Sequence, residues 1–308
     1  MTKNFTIGIV GAGAVGLTYA ALLSEVAIIK VKTHRHGQAE AINARGLVFV
    51  RRDDTEKTYK DIAASDDYHI LADCDAVIVA VKSYDTEQVA RALDDVIKPE
   101  AVILSLQNGL QAFGVLKETM SNPSRVYGGV SYVVASRIDD RKVLNGNMLR
   151  SVVDQNAGEL ANIMQSSPFE AELSPNIKQA MWDKMVLNTG QNALSAITNL
   201  KFGEMYQSAD CLEIATKLTD ELRAVGEAEG LTFDYSMVEK LKDNWKGSSF
   251  LPSMWQDLHN GRRTEIDAIN GSISRIGKKH GIATPYNDMV SSLIRALEGA
   301  TPSEIVEE

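Results

Sequence analysis

The sequence is poor in cysteine and in long apolar runs. Only two of its 308 residues are cysteines, Cys74 and Cys211, and their separation fits none of the ligand spacings of metal sites. We expect both to be buried, reduced thiols, and no bound metal is predicted. No apolar run approaches the ~20 residues of a membrane-spanning helix, so no membrane association is expected.

Positive charge is also scarce. The 41 acidic residues outnumber the 32 Lys and Arg residues and give a formal net charge of −9. This balance disfavours a nucleic-acid partner, although it allows a local basic pocket for phosphates. A signal peptide is not expected, because a glycine turn interrupts the first apolar run after about six residues. The sequence therefore predicts a cytoplasmic protein.

The densest motif lies near the N-terminus. An apolar run at Phe5–Val10 predicts a buried strand, a Gly-x-Gly-x-x-Gly turn follows at residues 11–16, and Leu17–Leu23 predicts a helix. Such glycine patterns also occur by chance. The order of strand, turn and helix makes this one a predicted dinucleotide-binding site.

Each position of the turn has its own role in that prediction. Gly11 allows the tight turn, Gly13 lets the backbone approach a pyrophosphate, and Gly16 lets the helix pack against the strand. Ala14 and Val15 stand where the helix opens, so its free N–H groups and positive dipole end would face the phosphates.

The end of the second predicted strand bears on the choice of cofactor. NAD-binding folds usually place an acidic residue there, about 20 residues past the glycines. Here the segment after Val26–Lys32 contains His34 and Arg35 and no acid. Arg35 is the predicted partner of a 2′-phosphate, which favours NADP over NAD. The alternative is an ordinary solvated basic loop.

Two later strands end in polar side chains. Asp75–Val81 is an apolar, β-branched run followed by Lys82, and Ala101–Leu106 is followed by Gln107 and then Asn108. Open α/β sheets bind ligands at the carboxyl ends of such strands, which makes Lys82 and Asn108 candidates. Lys82 could equally mark an exit to solvent, and Asn-Gly is an ordinary turn dipeptide.

Alternating strands and helices through about residue 120 predict a doubly wound α/β sheet of the Rossmann type. Further strands are predicted at 126–135 and 143–150, separated by a charged turn at 139–141. The α/β pattern ends near residue 173. We therefore predict a dinucleotide-binding domain over 1–173 and an all-helical substrate domain over 174–308.

A polar stripe marks the first helix of the second half. Lys184, Asn188 and Asn192 follow one another at intervals of four residues on an otherwise apolar segment, which puts all three on one helix face. Burying these three polar side chains would cost free energy unless they faced a polar ligand or water. The alternative is that the stripe is the solvent-exposed face.

The segment Arg262–Asp267 is predicted to open a later helix whose core side carries Ile266, Ile269, Ile273 and Ile276. Glu265 lies off that apolar stripe. It could be an acid that is favourable in a first helical turn. With Thr264 and the two arginines, it could equally belong to a site.

Several of these motifs together resemble the ketopantoate reductase (2-dehydropantoate 2-reductase) family over nearly the whole chain. The matching segments are GAGAVG at 11–16, VKS at 81–83, QNG at 107–109, WDKMVLNTGQNAL at 182–194, SMWQDLHNGRRTEID at 253–267 and HGIATP at 280–285. The first motif is generic. The segments at 182–194 and 253–267 are specific, and they stand in the family's order.

The resemblance implies an N-terminal Rossmann domain, an all-helical C-terminal domain, and reduction of ketopantoate to pantoate with NADPH for pantothenate and coenzyme A synthesis. It implies Lys184 as general acid and Glu265 beside the lysine and the cofactor. It further implies Asn188, Asn192 and Ser253 as substrate ligands, Asn108 at the nicotinamide and substrate, Lys82 at the cofactor and Arg35 at the 2′-phosphate.

Three questions stay open from the sequence. Burial would lower the pKa of a lysine from about 10.4 and a nearby glutamate would raise it, and the balance is not readable from the residues. The substrate could be another 2-keto acid, or the chain could be a regulator that binds NADPH without chemistry. A monomer and a homodimer are both compatible with the resemblance.

Overall fold

A computed structural model describes residues 4–146 and 148–299. Its strands are β1 Thr6–Val10, β2 Ile28–Lys32, β3 Leu47–Val50, β4 Glu56–Tyr59, β5 Ile62–Ser65, β6 Ala76–Val79, β7 Val102–Ser105, β8 Val126–Ser131, β9 Ala135–Arg137, β10 Lys142–Asn145, β11 Arg150–Asp154 and β12 Glu170–Ser174. Its helices are α1 Ala14–Leu23, α2 His36–Arg45, α3 Thr86–Asp94, α4 Gln111–Thr119, α5 Gly158–Ser166, α6 Ile177–Thr198, α7 Phe202–Gln207, α8 Ala209–Ala228, α9 Met237–Trp245, α10 Ser253–His259, α11 Asn270–Lys279 and α12 Pro285–Gly299.

The first apolar run forms a central strand of a large sheet. Strand β1 pairs in parallel with β2 on one edge and with β6 on the other. The sheet runs in the order β5-β2-β1-β6-β7-β8, with all of these strands parallel, and β11 and β12 extend it beyond β8. The strand order reverses between β1 and β6, which is the place where doubly wound sheets bind their ligands. The predicted Rossmann-type sheet is confirmed.

A second sheet, in the order β4-β3-β10-β9, covers α1. This helix contacts β1 and β2 of the large sheet and β3, β9 and β10 of the small one, and it is buried from Gly16 to Leu23. Helix α1 can be almost wholly apolar because both of its sides are covered.

The single strand predicted at 143–150 is wrong. Strand β10 ends at Asn145 in the small sheet, and β11 begins at Arg150 in the large sheet; Asn147, which the prediction included, lies outside the described residues. The chain leaves the small sheet at Asn145-Gly146, a turn dipeptide that the prediction of one continuous strand overlooked.

The chain divides into two compact units, residues 1–180 and 181–308. The division falls inside α6. The domain boundary predicted after residue 173 lies just before that helix and stays a prediction. From residue 175 to residue 299 the described chain contains helices and loops but no strand.

Close packing fixes α6 in the helical unit. A Cβ atom on Gly190 would lie 2.6 Å from Leu241 and 3.1 Å from Thr219, so glycine lets α8 and α9 approach α6. On the same side, the indole of the fully buried Trp245 donates to Oε1 of Gln191 at 2.9 Å. These contacts determine which face of α6 is left for polar groups.

Helix α11 begins at Asn270, so the prediction that Arg262–Asp267 opens this helix is wrong. The segment forms a turn instead, in which the N–H groups of Ala268 and Ile269 donate to the Glu265 carbonyl at 3.0 Å. Ile266, Ile269 and Ile273 are buried as expected and Ile276 is half-buried, because a helical turn before the helix keeps nearly the same periodicity.

Candidate active site

The glycine turn between β1 and α1 has the geometry that phosphate binding needs. Gly11 has a φ of +107°, and its missing Cβ would lie 2.7 Å from the backbone of Ala80. A Cβ on Gly16 would lie 1.9 Å from the Gly11 carbonyl oxygen, whereas one on Gly13 would have no atom within 4 Å. Gly11 and Gly16 therefore serve close packing, and the backbone at Gly13 is open to a ligand.

The open N-terminus of α1 completes a cradle for a dinucleotide. Ala14 and Val15 form its first turn, where backbone N–H groups lack partners within the helix. Such groups and the helix dipole favour a negatively charged ligand. The residues present therefore fit the pyrophosphate of a dinucleotide.

Lys82 and Asn108 follow two neighbouring strands, β6 and β7, of the same sheet. The buried side chain of Gln107 links the ends of these strands by donating to the Val81 carbonyl at 3.1 Å and to the Thr86 hydroxyl at 2.8 Å. Gln107 was not predicted as a site residue, although it stands inside the QNG motif. Because Gly11 packs on the backbone just before Lys82, these residues gather at one edge of the sheet.

Arg35 lies at the N-terminal end of α2, and its guanidinium donates to the carboxylate of Asp140. His36 makes a similar contact with Asp66 at 3.1 Å. The nearby acids Asp66 and Asp67 also raise the pKa of Lys32, although burial has the larger effect and lowers it overall. The side chains of Arg35 and His36 are therefore exposed to solvent and paired with carboxylates.

The polar stripe of α6 is not the solvent-exposed face. Asn188 is 9% exposed and Asn192 is 5% exposed, and Lys184 is partly buried. Among the described residues, Nδ2 of Asn188 has no hydrogen-bond partner. A buried amide donor without a partner costs free energy, so this atom is suited to a ligand oxygen.

Burial and one carboxylate determine the protonation of Lys184. Removal of the ammonium group from water lowers the pKa of Lys184 to about 8. The negative charge of Glu265 acts in the opposite direction and raises that pKa. The two side chains therefore interact, and the lysine stays largely protonated at neutral pH.

The turn before α11 holds Glu265 in place. Glu265 is 6% exposed, and the backbone N–H of Thr264 donates to the Glu298 carboxylate at 2.6 Å. The Thr264 hydroxyl accepts from the N–H of Ile266 at 3.2 Å. These contacts fix the turn on both sides of Glu265, and the sequence carried no signal for Glu298.

A buried amide pair joins this region to α6. Asn270, the first residue of α11, donates to the Thr189 carbonyl at 3.1 Å and to Oδ1 of Asn287 at 2.9 Å. The Asn287 side chain in turn donates to Glu221 at 2.7 Å. Because Thr189 adjoins Asn188, the pair positions the polar stripe; both asparagines are fully buried and were not predicted.

Ser253 lies on neither α6 nor the turn before α11. It is the exposed first residue of α10. No hydrogen bond joins its hydroxyl to any residue in the described part of the chain. The structure thus brings Lys184, Asn188, Asn192 and Glu265 together in the helical unit, and the glycine turn, Lys82 and Asn108 together in the sheet unit.

No group of three or more His, Cys, Asp or Glu side chains within residues 4–146 and 148–299 is placed to hold a metal ion. No helix there combines the length and apolar character that crossing a membrane requires.

A Rossmann-type sheet whose glycine turn is open to a ligand is the arrangement that dinucleotide-binding proteins use, and here an all-helical unit follows it. Comparison with known proteins identifies the family. Residues 7–155 match the family model described as ketopantoate reductase PanE/ApbA, and residues 176–298 match the model of its C-terminal part. The chain therefore belongs to the ketopantoate reductase family, a family of oxidoreductases.

Individual relatives agree with this assignment. The chain is 30% identical to a 2-dehydropantoate 2-reductase of Archaeoglobus fulgidus over 300 residues, which are 95% of this chain and 97% of the relative. Among solved structures, a PanE/ApbA family ketopantoate reductase from Ralstonia eutropha superposes with a TM-score of 0.89 at 30% identity, covering 96% of this chain and 98% of that one. A D-mandelate dehydrogenase solved with NADH has a TM-score of 0.85 at 24% identity, with 96% and 98% coverage, and shares the fold.

Proposed function

We propose that the chain reduces 2-dehydropantoate to pantoate with NADPH, a step in pantothenate and coenzyme A biosynthesis. The observation that carries the proposal is the partly buried Lys184, which has a pKa of about 8 and interacts with Glu265. It lies on one helix face with two buried asparagines. Family membership and relatives named for this reaction support the substrate.

Reduction of the 2-keto group requires a proton donor at the ketone oxygen. Bound NADPH supplies the hydride that adds to the 2-keto carbon. As the carbonyl bond opens, negative charge develops on oxygen, and a positioned donor there stabilises the transition state. The Lys184 ammonium donates its proton to that oxygen to give the hydroxyl group and is left as a neutral amine.

The other proposed site residues bind the substrate and the cofactor and orient Lys184. Asn188 and Asn192 supply neutral donors and acceptors for the hydroxyl and carboxylate of the substrate, and Ser253 adds a hydroxyl. Glu265 keeps Lys184 oriented and protonated and also contacts the cofactor. Lys82 and Asn108 hold the nicotinamide end of the cofactor, and Asn108 also contacts the substrate. Gly11, Gly13, Ala14, Val15 and Gly16 hold the pyrophosphate, and Arg35 pairs with the 2′-phosphate.

A substrate panel tests this function. We expect rapid loss of reduced-nicotinamide absorbance with ketopantoate and NADPH, and slower loss with NADH or with other 2-keto acids. Faster turnover on a different 2-keto acid would keep the mechanism and replace the substrate. Binding of NADPH without turnover on any acid would favour the regulator alternative. The homodimer and the cytoplasmic location stay predictions.

The pH dependence of reduction tests the roles of Lys184 and Glu265 together. A general acid must be protonated, so kcat is expected to fall as pH rises through about 8, the pKa of Lys184. Because the Glu265 charge raises this pKa, Glu265→Gln is expected to move the falling limb to lower pH.

Asp267→Asn is the matched control, since it neutralises an exposed carboxylate nearby that pairs with Arg295 at 2.9 Å. In this variant the falling limb of the pH profile of kcat should stay at the pH of the wild type. An unmoved limb in Glu265→Gln, or one displaced to higher pH, would show that Glu265 does not set the protonation of Lys184.

A further inference from the structure

The Arg35 side chain, which is proposed to bind the 2′-phosphate, forms an ion pair in the structure. The Arg35 guanidinium donates to the Asp140 carboxylate, and the two side chains are 55% and 38% exposed. We propose that Asp140 sets the selectivity of the site between NADPH and NADH by competing with the 2′-phosphate for Arg35. This inference rests on the proposed nucleotide binding and adds a specificity-determining residue to it.

The structure builds Asp140 into the nucleotide site. The side-chain amide of Gln38 donates at 3.0 Å to the Asp140 carbonyl and also at 3.0 Å to the carbonyl of Ala12, inside the glycine turn. Gln38 is 2% exposed. One buried amide therefore connects the turn that carries Asp140 to the turn that is proposed to hold the pyrophosphate.

The neighbouring secondary structure restricts the movement of Asp140. It lies between β9 and β10, which pair antiparallel in the small sheet. The preceding Asp139 carboxylate accepts the backbone N–H of Arg141 at 2.8 Å. The Asp140 backbone is thus held on both sides, which keeps the residue close to Arg35 in the fold.

Two other cations of the segment, Lys32 and His36, also lie close to acids. His36 faces Asp66 at 3.1 Å and Glu40 at 3.4 Å, and Lys32 lies near Asp66 and over the ring of Tyr68. The Asp140 contact uses one of the five N–H donors of Arg35, so a 2′-phosphate that binds Arg35 competes with the carboxylate for the guanidinium and meets a like charge beside it. A 2′-hydroxyl does not bear that cost.

Asp140→Asn is the direct test because it removes the charge and keeps the shape. Calorimetric titration with 2′,5′-ADP and with 5′-AMP, at one fixed salt concentration, measures how much the 2′-phosphate contributes to the binding affinity. We expect the variant to bind 2′,5′-ADP roughly fivefold more tightly, the gain of losing an exposed pair and a like-charge contact. Its affinity for 5′-AMP should not change.

Two variants serve as controls. Asp139→Asn makes the same change in net charge one residue away, and because the amide oxygen still accepts the Arg141 N–H, both affinities should stay as in the wild type. In an Arg35→Gln background, Asp140→Asn should raise the affinity for 2′,5′-ADP much less, because no guanidinium remains for the carboxylate to compete for.

The results for these variants decide whether Asp140 competes with the 2′-phosphate for Arg35. Unchanged or weaker binding of 2′,5′-ADP by Asp140→Asn would overturn it, as would an equal gain from Asp139→Asn or a full gain without Arg35. If wild-type protein bound neither NADPH nor NADH, the proposed function itself would fail. Normal NADPH binding with an inert Asp140 would overturn only this inference.

Discussion

Lys184→Met is expected to lower kcat for the keto acid about 10²- to 10⁴-fold, the usual contribution of a positioned general acid. Methionine keeps most of the apolar stem and removes the amine, so packing around α6 is largely preserved. Affinity for NADPH should be nearly unchanged, because the glycine turn and Arg35 belong to the other unit. Stopped-flow turnover and a direct nucleotide titration measure the two quantities separately.

Lys178→Met is the matched control for this experiment. Lys178 lies on the same helix and is exposed, so its replacement removes the same charge outside the polar stripe. Its kcat should equal that of the wild type. Retention of most of the activity in Lys184→Met would show that another group protonates the ketone oxygen.

Two glycine-to-alanine variants are expected to separate folding from binding in the sheet unit. In Gly16→Ala the new methyl group would overlap the Gly11 carbonyl, which lies 1.9 Å from the Cβ position. Backbone has little room to yield there, and a loss of about 3 kcal/mol or more in the free energy of unfolding is expected. Denaturant titration measures this loss.

Gly13→Ala adds the same methyl group where no atom lies within 4 Å. Its φ of −83° is one that alanine adopts readily, so stability should change by about 1 kcal/mol or less. The methyl group would instead obstruct the pyrophosphate and weaken NADPH binding roughly tenfold or more. Equal stability losses in the two variants, or wild-type affinity in Gly13→Ala, would contradict the assigned roles.

The sequence determined the architecture because the signals for it are local. The Gly-x-Gly-x-x-Gly turn between an apolar strand and a helix depends on neighbouring residues, and the parallel order around β1 follows from right-handed crossovers. The four-residue spacing of Lys184, Asn188 and Asn192 placed them on one face for the same reason. Such features need no knowledge of distant contacts.

Only the tertiary structure decided how these residues are paired. The pKa of Lys184 depends on burial and on Glu265, which is 81 positions away in the sequence. The partner of Arg35 comes from a turn between two strands of the small sheet, and one of these, β10, was predicted with the wrong end. Asn270 and Asn287 act through contacts across four helices. Desolvation and charge pairing arise from groups that meet only in the folded chain, and no periodicity in the sequence records which groups will meet.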